Sequence, residues 1–197
     1  MTDAKTLAEL ITRGDSEAPA IRAPGQQALT FAGLQALCAN TIGVLNEAGI
    51  GRGERVAIVL PNSPEMATAF VSVAAGATAA PLNPAYKTDE FEFYLSDLGA
   101  KAVIVLAGDE TPVIAAAGKL NIPLIPLTPD TQGPAGAFSL SPPTGPAASA
   151  GGFADADDIA LILHTSGTTS RPKIVPLSHS NVCASARNIS AWLELAP

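Results

Sequence analysis

Charge is scarce in this sequence. Asp, Glu, Lys and Arg make up only 15% of its 197 residues, and the net charge is -7. The densest basic stretch, Gly51-Arg52-Gly53-Glu54-Arg55, is short and broken by glycine and glutamate. That balance argues against nucleic acid or an anionic membrane surface as a partner. A small anionic ligand stays compatible with it, because local backbone amides bind phosphate whatever the overall charge. Cysteine is nearly absent too. Cys38 and Cys183 sit in apolar periodic segments, and neither has a second thiol or a histidine at ligand spacing. A disulfide framework and a thiolate metal site are both unsupported, and two buried, reduced thiols are expected. Long hydrophobic runs are missing as well. The most membrane-like stretch, residues 66–82, is interrupted by Thr68, Ser72, Gly76, Thr78 and Pro81, and falls short of the ~20 apolar residues a span needs. The first ten residues hold two acidic side chains and no continuous apolar segment, so neither a signal peptide nor a transmembrane segment is read, and the expected location is cytoplasmic.

What is abundant is apolar residues, 47% of the chain. A compact chain of this size buries roughly 70% of the surface it exposes when unfolded, so a core can form without metals or disulfides. The periodicity describes that core. Residues 6–13 suggest a short helix, and 20–22 and 28–31 flank a turn at Pro24-Gly25 that suggests a β-hairpin. Leu34, Leu37, Cys38, Thr41, Ile42 and Leu45 then share one helical face, with Gly49 where a C-terminal cap belongs. Residues 55–60 are apolar after the first, as in a strand covered on both faces. Ser63-Pro64-Glu65 has the residue types of a helix start and carries a helix to Gly76.

The alternation continues. A strand is expected at 78–82, a helix from Thr88 to Gly99, a strand at 102–106, a helix at 109–120 and a strand at 122–126. Residues 128–152 break the pattern with Pro129, Pro134, Pro142, Pro143, Pro146 and several glycines, and read as a loop or linker with almost no large apolar residues. It either separates domains or forms a long excursion within one. A buried strand at 158–163, a strand at 174–177 and a helix from Ser178 close the pattern. Strands alternating with helices predict an α/β fold, a parallel-rich sheet wrapped by helices.

Between the last two strands lies His164-Thr165-Ser166-Gly167-Thr168-Thr169-Ser170-Arg171-Pro172-Lys173. Gly167 permits close approach of a ligand, the hydroxyls donate to phosphate oxygens without adding charge, and Arg171 and Lys173 offset negative charge. On composition alone this is either a phosphate site or a polar connection between strands. It lacks the Gly-x-x-x-x-Gly-Lys-[Ser/Thr] spacing of a P-loop, and the Gly49-x-Gly51-x-Gly53 run precedes a strand where a dinucleotide fingerprint would follow one. The single residues carry weaker signals. His164 could line the site or be a hydrogen-bonded structural histidine. His179 belongs to a helix start, Asn83 and Tyr86 to a turn, and Trp192 to the core.

The Thr165–Lys173 wording resembles the Ser/Thr-Gly-Thr-Thr-Gly-x-Pro-Lys signature of the AMP-forming adenylation superfamily, which includes acyl-CoA synthetases. A second stretch is similar to the family's N-terminal pattern in the same order: Thr30-Phe31-Ala32-Gly33-Leu34, then Leu45 through Glu65, then Gly76-Ala77-Thr78-Ala79-Ala80-Pro81-Leu82-Asn83-Pro84-Ala85-Tyr86. Two positions depart from the signature. Ser170 stands where the second glycine belongs, which should stiffen the loop, and Ile174 stands where a glycine often follows the lysine. The full His164-Thr165-Ser166-Gly167-Thr168-Thr169-Ser170-Arg171-Pro172-Lys173 wording resembles the branch that holds oxalate–CoA ligases and their bacterial relatives.

The resemblance implies a carboxylate activated by ATP as an acyl-adenylate and passed to coenzyme A. It implies ATP or AMP held through Thr165, Ser166, Gly167, Thr168, Thr169, Ser170, Arg171 and Lys173, with Mg2+ bridging phosphates and a small carboxylic acid as substrate. The family's Tyr-Gly-x-Thr-Glu segment, the aspartate that contacts ribose and the C-terminal domain with its lysine are not found in the sequence. Residues 1–197 are thus read as the N-terminal part of an AMP-binding (adenylation) domain, incomplete as a large domain and inactive alone, with catalytic residues expected beyond Pro197. Two other readings stay open: a non-catalytic fragment with a structural role, including a homodimer through an exposed apolar face, and an adenylation domain that loads a carrier-protein thiol.

Overall fold

The computed structural model describes residues 4–165 and 172–195. A short helix, α1 (Leu7–Ile11), leads to a small hairpin of β1 (Pro19–Ile21) and β2 (Leu29–Thr30). Helix α2 (Phe31–Glu47) follows at once. Phe31, expected in the hairpin strand, is instead the first helical residue, because the Thr30 hydroxyl accepts the Gly33 N–H and caps the helix there.

The main sheet starts at β3 (Arg55–Val59), and α3 (Pro64–Ala74) returns the chain to β4 (Thr78–Pro81). Ser63 caps α3 by accepting the Met66 N–H at 3.2 Å, and Pro64 occupies the first turn, where its missing N–H costs nothing. Helix α4 (Thr88–Leu98) ends on Gly99 in the left-handed conformation, φ 60°. It passes the chain over to β5 (Ala102–Leu106), on the other side of β3. Helix α5 (Pro112–Leu120) begins three residues later than the sequence suggested, at the proline suited to a first turn, and leads to β6 (Leu124–Pro129).

The expected loop at 128–152 holds more structure than its composition indicated. It contains the end of β6 and a further strand, β7 (Phe138–Leu140), antiparallel to β6 at the sheet edge. Phe138 is buried and Leu140 packs against the core. The remaining stretch is fastened rather than loose. Ala148 N–H donates to the Asn46 carbonyl at 2.7 Å, Arg52 N–H to the Ala150 carbonyl at 2.8 Å, and Gly152 N–H to Asn46 Oδ1 at 2.7 Å. A Cβ on Gly51 would lie 2.1 Å from the Ala150 carbonyl oxygen, so the strap lies against a position that only glycine fits. Since β8 (Ile159–Thr165) then joins the same sheet beside β4, the segment is an excursion within one sheet. Strand β9 (Lys173–Ser178) pairs antiparallel with β8 and passes into α6 (His179–Trp192).

The sheet order is β7-β6-β5-β3-β4-β8-β9, with β6, β5, β3, β4 and β8 parallel. Alternate residues serve two cores. Val56, Ile58, Ala102, Ile104 and Ile125 face Val73 and Ala74 of α3 and Leu45 of α2. Ala57, Val59, Val103, Val105 and Ile162 face Phe91, Leu95 and Leu98 of α4 and Val113 and Ala116 of α5. The continuous apolar strands are therefore explained by burial on both faces. Trp192, expected in the core, is 84% exposed at the end of α6. Among the described residues, no helix is long and apolar enough to cross a membrane.

Candidate functional site

In an open parallel sheet, ligands gather at the carboxyl ends of the strands, where loops diverge to opposite faces. Here β3 feeds α3 on one face, while β4 and β5 feed α4 and α5 on the other. Strand β8 brings Thr165 to this same end, and the antiparallel β9 leaves from it at Lys173. The two residues are direct register partners, Thr165↔Lys173. Both are exposed, and Lys173 forms no ion pair with any carboxylate among the described residues. A hydroxyl donor and an ammonium are thus held at the mouth of one connection. Ser166, Gly167, Thr168, Thr169, Ser170 and Arg171 lie outside the described residues.

One residue before Thr165 the chain turns inward. His164 shares the face of Ile162, and its imidazole side chain is only 6% exposed. Its Nε2 lies 3.2 Å from Asp97 Oδ2. A carboxylate only accepts, so Nε2 carries the hydrogen. Tyr94, one turn earlier on α4, sets its ring edge-on to the imidazole with centroids 4.8 Å apart. Tyr86 stacks on Tyr94 at 4.7 Å, and its hydroxyl, together with burial, pushes the Tyr94 phenol up to about 12. Asn83 Oδ1 accepts the Ala85 N–H at 3.0 Å, which is the turn geometry expected for that segment. His164 is therefore hydrogen-bonded as a structural histidine would be, while standing next to the candidate loop. The sequence gives no sign of its partner 67 positions away.

The remaining candidates sit elsewhere. His179 opens α6, fully buried, at the amino end of β8. Its Nδ1 accepts the Leu7 N–H at 3.1 Å, so it fastens α1 and is far from any exposed base position. Burial pushes both thiols, Cys38 and Cys183, above their ordinary value, so neither is a ready nucleophile.

The match to known proteins decides the family. The model of the AMP-binding enzyme family matches residues 10–196. The chain belongs to that family. A probable CoA ligase of Humulus lupulus is 40% identical over 186 residues, covering 92% of this chain and 35% of that protein. An oxalate–CoA ligase of Arabidopsis thaliana is 39% identical over 199 residues, covering 98% of this chain and 39% of its own length. Among solved structures, apo MatB from Rhodopseudomonas palustris superposes with a TM-score of 0.78 at 27% identity, covering all of this chain and 39% of that one. The ATP-bound form of MatB gives 0.74, covering 97% and 38%. The chain thus spans between a third and two-fifths of the length of these relatives. A mostly parallel sheet wrapped by helices is the corresponding part of an adenylate-forming fold.

Proposed function

We propose that this chain supplies the phosphate-binding part of an ATP-dependent carboxylate–CoA ligase. The observation that carries the reading is the pairing of Thr165 with Lys173 at the carboxyl edge of the sheet, within a chain of this family. In the reaction a carboxylate oxygen forms a bond to the α-phosphorus of ATP and pyrophosphate leaves. The thiol of coenzyme A then takes the acyl group and AMP leaves. The first step asks little covalent work of the protein, so positioning and charge complementarity dominate. The hydroxyls and amides of residues 165–170 would hold the outer phosphates, and Arg171 and Lys173 would balance their charge. The donor set suits a polyphosphate, since it is neutral or cationic throughout. Mg2+, when bound with the nucleotide, would supply positive charge that offsets the phosphates.

Oxalate or another small carboxylic acid is the first substrate to try. Two relatives named oxalate–CoA ligase are 39% and 35% identical to this chain. The test is calorimetric titration of the 197-residue chain with Mg·ATP. Binding is expected, and Lys173→Ala should weaken it by about tenfold, the equivalent of roughly 1.4 kcal/mol for one charge-assisted contact. No binding by the parent chain overturns the proposal. Carboxylate-dependent ATP–pyrophosphate exchange, run with oxalate, malonate, aryl and long-chain acids, reports on acid choice, and exchange with one acid names the substrate class.

A further inference from the structure

We infer that His164 and Asp97 form a positioning pair for the phosphate-binding residues, fixing the end of β8 so that Thr165 and its register partner Lys173 are presented in one orientation. The inference rests on the phosphate reading given above.

Three observations carry it. The first is location. His164 is the last inward-facing residue of β8, directly before Thr165, and its register partner Ile174 directly follows Lys173. Whatever fixes the His164 side chain fixes the backbone at both ends of the connection. The second is the quality of the anchorage. The imidazole is nearly buried, its Nε2–H is directed at Asp97, and Tyr94 packs edge-on against the ring. Tyr94 in turn stacks on Tyr86, which lies in the β4–α4 connection and packs edge-on against the fully buried Phe91. The end of β8, helix α4 and the β4–α4 connection meet through these few side chains.

The third observation is chemical. A purely structural filler between Ile162 and the sheet edge would be apolar, as Ile162 itself is. A polar ring there costs desolvation unless it is hydrogen-bonded. It gains a directional tether that an aliphatic side chain cannot supply, because the carboxylate fixes both the tautomer and the ring plane. Asp97 is suited to that role. It is held on a helix whose Phe91, Leu95 and Leu98 are fully buried, so its Cα is rigidly placed while its carboxylate remains partly open to water. In the same way that outer partners orient a metal-bound histidine, Asp97 orients His164, and His164 orients Thr165 beside it. His164 is a positioning residue here and need not touch the nucleotide.

The test measures Mg·ATP affinity by calorimetry on the full 197-residue chain and three variants, with a thermal melt of each. Asp97→Ala removes the tether at a partly exposed helix position, so this variant is expected to fold like the parent. It should bind Mg·ATP about tenfold more weakly. His164→Phe keeps the ring volume and removes the hydrogen bond, and should weaken binding to the same degree. His164→Gln can place an amide N–H near the position of Nε2, and should restore binding to within about threefold of the parent. A purely structural role would move the melting temperature and leave affinity unchanged. The inference is overturned if the parent binds Mg·ATP and Asp97→Ala binds it equally well, or if His164→Gln loses as much as His164→Phe. If the parent itself takes up no Mg·ATP, the phosphate reading fails, and this inference falls with it.

Discussion

Lowering the pH below neutrality should loosen this protein through one side chain, His179. The imidazole is fully buried between α1, α3 and the start of β8. Its Nδ1 accepts the N–H of Leu7, the first helical residue of α1, whose N–H has no acceptor within its own helix. An accepting Nδ1 requires a neutral ring with the proton on Nε2, and Nε2 makes no hydrogen bond of normal geometry. Protonation would turn Nδ1 into a donor facing a donor. Burial pushes the imidazole below its ordinary 6.5, with Asp158 and the Ala74 carbonyl opposing part of the shift. Asp158 is itself paired with Arg52, which spends much of its attraction on that partner.

The sign follows from proton linkage. The unfolded chain takes up the proton more readily than the folded one, so stability is fully present above 6.5 and falls as pH drops from there toward the depressed folded value. The slope is at most about 1.4 kcal/mol per pH unit. Other groups held low act further down. Glu9 is lowered from 4.5 chiefly by the Lys5 N–H. For Asp158, burial pushes upward but is outweighed by the Asp155 N–H and Arg52, so it lies below 3.8. Among the described groups with a resolved shift, only His179 acts between 6.5 and 4.5. The assay is urea unfolding followed by far-ultraviolet circular dichroism at about pH 7.5, 6.5 and 5.5. Trp192 fluorescence would be a poor reporter, since that ring is already exposed. The parent should lose about 1 kcal/mol between the extremes. His179→Phe should be less stable by about 1–3 kcal/mol at the highest pH, because the Leu7 N–H is left buried without a partner, and should show no loss on acidification. A flat parent curve, or an equal slope in the variant, would refute the reasoning.

Two further predictions concern packing. Gly51→Ala should cost about 1–3 kcal/mol and speed proteolysis within residues 141–152, because backbone must move to admit the methyl group. Gly53→Ala meets nothing within 4 Å but sits at φ +82°, so it should cost about 1–2 kcal/mol and leave the strap as resistant as before; equal cleavage of the two variants would contradict the strap. Phe91→Ala, at the centre of the core under α4, should lose about 3–5 kcal/mol in the same urea assay. A loss below about 1 kcal/mol would mean that α4 is not held by that core.

The sequence was most legible where one local rule decided the outcome. Strands β3 and β5 could be read from unbroken apolar runs because both of their faces are buried. Helix α3 could be read from Ser63-Pro64, because a cap and a first-turn proline act within four residues. The misses come from interactions that are distant in the chain. Strand β7 has three residues, too few for a period, and exists because β6 offers an open edge. The strap looks like a linker by composition, yet Asn46 and Arg52 bond to residues about 100 positions later, and a Cβ on Gly51 or Gly151 would collide at those contacts. The candidate loop is marked by its hydroxyls and cations, but Asp97 is one acidic residue among several on α4, and nothing local marks it as the partner of His164. Trp192 reads as core by residue type alone, and type does not fix burial at the end of a helix.

These features divide between the two ends of the parallel strands. At the amino ends lie the strap on Gly51, the Arg52 ion pairs with Asp155 and Asp158, the Thr78 hydroxyl donating to the Ile159 carbonyl, and buried His179. All of them join segments that are far apart in sequence, and none reaches the carboxyl ends. There the chain places Thr165 and Lys173, with an exposed ammonium, and His164 ties the end of β8 to Asp97 of α4. The two sets of substitutions should therefore separate. Changes at Gly51 or His179 should move stability and leave nucleotide affinity alone, and changes at Lys173 or Asp97 should do the reverse. Sites with no shared partners are expected to add within about 0.5 kcal/mol. A His179→Phe, Asp97→Ala double variant whose stability and Mg·ATP affinity both depart from the sum of the single changes would show that the two ends are coupled through β8.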